Sequence, residues 1–104
     1  MGKIYRETTY FGRRNYTLGE WNYYCRLRNE YVNSYRNALY SYKNGAYECA
    51  RGYLYQAQMT LYDICTYCPP ASLHNHEYKR AWNDIPRLIE KTERKIQQQE
   101  EMCA

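Results

Sequence analysis

At 104 residues, with 44% hydrophobic and 25% charged side chains, the chain is long enough for one domain with a modest core. No run of roughly 18 apolar residues is present, which excludes a helix that spans a membrane. Five cysteines, an odd number, without an export signal argue against a disulfide-stapled secreted fold and for a reducing, cytoplasmic setting with free thiols.

Fifteen tyrosines supply much of the apolar volume in a chain with few aliphatic residues. A buried tyrosine needs a partner for its hydroxyl, and rings with a polar tip are common in binding surfaces. The net charge of +4 is uneven. Residues 1–52 carry nine Lys or Arg against four Glu, and residues 53–104 carry six against seven acidic groups. A basic front half suits an anionic partner.

Residues 1–16 lack helical period, and the Tyr- and Thr-rich run over 4–11 suits a strand or an extended arm. No second strand candidate stands out, so the reading is an arm laid on the domain or added to a partner. Arg6, Arg13 and Arg14 interleave there with Tyr10 and Tyr16. That mixture can neutralise phosphates while stacking bases.

A first helix is predicted over 17–44. Thr17 and Glu20 form a capping-box pair, and Gly45 is free to close the helix in the left-handed conformation. Leu18, Trp21, Cys25, Val32, Leu39 and Tyr42 mark its apolar stripe, interrupted by Arg28 and Tyr35, and Tyr24, Tyr31 and Ala38 fall on the same broad face. Asn22, Arg26, Asn29, Glu30, Asn33, Arg36 and Asn37 gather on the opposite face. Arg28 within the stripe needs a carboxylate, a route to solvent or a partner. Tyr23 and Tyr40 point toward the polar face as candidate surface contacts.

A second helix is predicted over 46–68, antiparallel to the first across the short link at 43–45. Tyr47, Ala50, Leu54, Ala57, Leu61, Ile64 and Cys68 form its packing stripe, with Ala50 and Ala57 allowing close approach. Pro69 and Pro70 end it. A second stripe, Arg51, Tyr55, Met59 and Tyr62, is either covered by a third helix or exposed as a partner site. The third helix is predicted over 77–99, broken or kinked near Pro86, with Trp82 as its anchor on the hairpin and a frayed polar tail. The expected fold is therefore all-α: a long antiparallel hairpin plus a third helix, with an extended N-terminal arm.

Cys65, Cys68, His74 and His76 offer two thiols and two imidazoles within twelve residues, a candidate zinc set. Its spacing is tighter than that of familiar fingers. A redox use is disfavoured because this Cys-x-x-Cys closes a helix, where the dipole opposes a thiolate. The five glycines are scattered, with no phosphate loop. The acids show no paired spacing for acid–base work, so no enzyme is expected.

The size, tyrosine content and basic front half resemble the small inhibitor proteins encoded by phages and mobile elements. The resemblance is of type rather than motif. It implies a non-enzymatic protein that binds another protein, blocking a host nucleic-acid-handling defence complex. Arg28, Arg51, Tyr55, Met59, Tyr62, Tyr23 and Tyr40 are then the candidate partner contacts. Alternatives are a nucleic-acid or nucleotide-binding module using the basic arm, and a zinc-stabilised structural module. A spare apolar face on the second helix would also suit a two-fold homodimer.

Overall fold

The computed structural model describes residues 4–6, 15–68 and 76–103. Three helices carry the fold: α1 (Leu18–Lys43), α2 (Tyr47–Tyr67) and α3 (His76–Cys103). Ahead of them a short ribbon pairs β1 (Ile4–Arg6) with β2 (Asn15–Thr17) in antiparallel register, Tyr5 opposite Tyr16. The expected lone strand thus has a partner: the three residues that lead directly into α1.

Helix α1 starts at Leu18 and ends as the sequence predicts. Gly45 has φ +80°, and its N–H meets the Tyr42 carbonyl while that of Ala46 meets Ser41. These two bonds satisfy carbonyls that the helix leaves open, in the Schellman arrangement. The chain reverses within three residues, and α2 packs antiparallel on α1. Ala50 and Ala57 are fully buried between neighbours, as the close approach of two helices requires.

The buried stripe of α1 is Tyr24, Leu27, Tyr31, Ser34 and Ala38. It is the flank of the predicted apolar face that holds Tyr24, Tyr31 and Ala38, one residue and about 100° on the wheel from the line of Cys25, Val32 and Leu39. Trp21, Cys25, Val32 and Tyr35 are only partly buried, and Leu39 is exposed. The cause is that α1 serves two neighbours. Tyr24 and Tyr31 meet Tyr78 of α3, while Tyr23 meets Tyr67 of α2. Tyrosines and small residues fill the seam between them. The seven polar residues assigned to the outer face are all exposed.

Helix α3 decides between the two readings at Pro86 and corrects two other expectations. It is one longer helix that runs through Pro86, and it continues to Cys103 rather than ending at 99. Trp82 is 49% exposed, whereas Tyr78, one turn earlier, is 1% exposed and anchors α3 in the core. Below Tyr78, the buried Ala81, Ile85, Ile89, Thr92 and Ile96 continue the apolar face of α3. The Thr92 hydroxyl donates to the Leu88 carbonyl 2.6 Å away, which is how a hydroxyl tolerates full burial on a helix.

The three helices are held in one register. Arg28 pairs with Glu77, the charge of Asp84 acts on Tyr35, and Lys91 lies over the Tyr42 ring. Each pair is 49 residues apart, so α3 runs parallel to α1 with contacts repeating every seven residues. At the far end the Gln99 side-chain amide donates to the Gly45 carbonyl at 3.4 Å.

Candidate functional site

The predicted second stripe of α2 is the starting point. Helix α3 packs beside it rather than over it. Tyr55 is 44%, Met59 70% and Tyr62 58% exposed, and Arg51 is half-buried at the head of the row. The Tyr55 hydroxyl donates to Glu93 of α3 at 2.8 Å, fixing the ring at the helix–helix margin. That bond to a carboxylate is the main reason its phenol pKa stands above the ordinary value.

Between α2 and α3 this stripe borders a groove of about 640 Å³. Met59, Leu61 and Tyr62 form one wall, and Ala81, Trp82, Ile85 and Pro86 form the other. Gln58 and Asp63 are its polar members. Its volume is within the range of sites that hold a ligand or an anchoring side chain. Trp82 contributes because Tyr78 has taken the buried position, which turns the indole to the surface. Nothing in hydrophobicity alone distinguishes the two rings. The four-residue step from Trp82 to Pro86 is the sequence signal that puts both on this wall.

A second groove, of about 470 Å³, lies between α1 and α3. Arg28, Arg36 and Arg80 line it with Glu77 and Asp84, so its charges largely compensate one another. Arg28, which interrupts the apolar period, finds its carboxylate here: Nη2 donates to Glu77 at 2.8 Å. Its guanidinium also lies 5.1 Å from the Tyr78 ring centroid and 5.9 Å from that of Tyr31. Burial works against the charge, but the bond to Glu77 and the contacts with Tyr78 outweigh it and hold the pKa above the ordinary value. Arg28 is thus engaged within the chain.

The remaining candidates are placed as follows. Tyr23 is half-buried against Tyr67 with Arg26 over its ring, while Tyr40 is exposed and does not line the groove. His74 lies outside the described residues, as do Tyr10, Arg13 and Arg14. Arg6 and Tyr16 belong to the paired strands. Cys65 is half-buried and Cys68 buried. Among the described residues no three His, Cys, Asp or Glu side chains come together as a metal site, and no helix is long and apolar enough to cross a membrane. Comparison of the chain with protein-family models, with curated proteins and with solved structures finds no match.

Proposed function

We propose that this chain is a non-enzymatic helical interaction protein that binds another protein through the joint face of α2 and α3. The observation that carries the reading is the unbroken exposed row of Tyr55, Met59 and Tyr62 with Trp82 beside it. Large aromatic and thioether side chains left in water over a preformed groove gain most from being covered. In size, tyrosine content and basic front half the chain resembles the small proteins that phages and mobile elements direct against a host's nucleic-acid-handling defence complexes, and the proposal is that it acts as such an inhibitor.

Met59→Glu and Tyr62→Ala test it. Both side chains are exposed, so each variant should melt within about 0.5 kcal/mol of the parent. Affinity capture from a host lysate should then lose with Met59→Glu the protein that the parent retains, and Tyr62→Ala should weaken that complex roughly 30-fold. An identical captured set with parent and variant overturns the reading.

A further inference from the structure

The groove between α2 and α3 has a chemical bias beyond being apolar. Asp63 is its one charged lining residue among the described residues, on a chain whose overall balance is +4. A second acceptor stands nearby. Pro86 has no N–H, so the Trp82 carbonyl, four residues earlier, lacks the donor that a helix ordinarily supplies. Trp82 and Tyr62 line the same groove with rings whose faces attract cations. No Lys or Arg is among its lining residues: Lys79 lines the adjoining depression past Trp82, and Arg51 heads the stripe before Tyr55. A carboxylate, an open carbonyl and two π faces with no cation among them describe a seat for a positively charged donor.

The shape adds the second half of the argument. Tyr55, Met59 and Tyr62 follow i, i+4, i+7, spanning about 10 Å along α2, and α3 forms the opposite wall. A cleft between two packed helices, edged at that spacing, matches the ridge of a third amphipathic helix laid into it. Resting on the reading of this face as protein-binding, we propose that its occupant is an amphipathic helix of the partner, carrying a Lys or Arg beside its apolar ridge. The cation sits against Asp63, the Trp82 carbonyl and the two rings. The apolar anchors cover Met59 and Pro86.

Synthetic helical peptides test this without knowledge of the partner. One probe carries Leu at i, i+4 and i+7 with Lys flanking the ridge at both ends, and a second replaces each Lys by norleucine, which keeps the stem and removes the charge. Binding is read from the Met59 methyl and Trp82 indole resonances of the full chain. The Lys probe should bind at least tenfold more tightly, and Asp63→Asn should abolish that preference while leaving the norleucine probe unchanged. Equal affinity of the two probes, or a Lys preference untouched by Asp63→Asn, overturns the basic-helix inference and leaves the face as a protein-binding surface. Silence of both resonances with either probe also overturns it, and the capture comparison with Met59→Glu then decides separately whether the face binds protein.

Discussion

At Tyr78 the phenol ring meets Tyr31 edge-on with centroids 5.6 Å apart, while its hydroxyl stands 2.9 Å from that of Tyr24. The same ring receives the Arg28 guanidinium. Removing it empties a fully buried aromatic site, so Tyr78→Ala should cost about 3–5 kcal/mol in chemical denaturation. Tyr78→Phe keeps the volume and loses hydrogen bonding, at about 1 kcal/mol. By contrast Glu77→Gln touches an ion pair whose side chains are 31% and 51% exposed, and should cost no more than about 1 kcal/mol. A Glu77→Gln penalty equal to that of Tyr78→Ala would mean the pair, not the ring, holds α3. Burial is the main reason that the phenols of Tyr31 and Tyr78 stand above the ordinary tyrosine value. The unfolded chain ionises these groups near pH 10, before the folded chain does. Their contribution is therefore complete below that pH and is lost as the pH rises toward the folded values. Tyrosinate absorbance followed with circular dichroism should show the late ionisation of these buried tyrosines titrating together with unfolding.

At the scale of the helices, Ala57 is the tightest constraint on the hairpin. It is fully buried on the packing stripe of α2, so Ala57→Leu should overpack the seam and lower stability by about 1–3 kcal/mol, read as a drop in denaturation midpoint. The packing stripe of α2, the ends of α1 and the left-handed Gly45 were legible because short-range chemistry sets them: period, capping residues and one glycine. The apolar side of α1 was legible too, but not which of its flanks is buried. Hydrophobicity ranks Leu39 above Tyr31, yet Leu39 is exposed and Tyr31 buried, since a tyrosine enters a core wherever another hydroxyl or a cation waits for its tip. The continuity of α3 at Pro86 was one of two open readings, and tertiary packing decides it. A proline forfeits one bond of the ladder, and packing of Ile85 and Ile89 on either side outweighs that local cost. The exposed row on α2 was readable as a second stripe, but its exposure depended on where α3 settles, which only the tertiary packing decides.

Over the whole molecule the described residues extend 62 × 21 × 18 Å, with a radius of gyration of 16.6 Å. A globule of this length has a value of about 13 Å. The elongation leaves a large share of surface in water, which is why two grooves run along the flanks of so small a chain. Small-angle scattering of the monomer should therefore give a radius clearly above the compact value. A doubled mass in the same sample that returns to the monomer value with Met59→Glu would show that the α2/α3 face is covered by a second copy instead of a foreign helix.

The constant 49-residue offset between α1 and α3 makes their contact a ruler marked every seven residues. Sliding α3 by one mark, about 10 Å, would bring Asp84 beside Arg28 and Lys91 beside Tyr35, an equally good match of charges and rings. The markings alone do not tell the two settings apart. Tyr78 does: in the displaced setting Ile85 would occupy its berth, too short to meet the Tyr24 hydroxyl and without a face for Arg28. One phenol thus indexes the whole third helix, and with it the position of Trp82 and Pro86 along the groove.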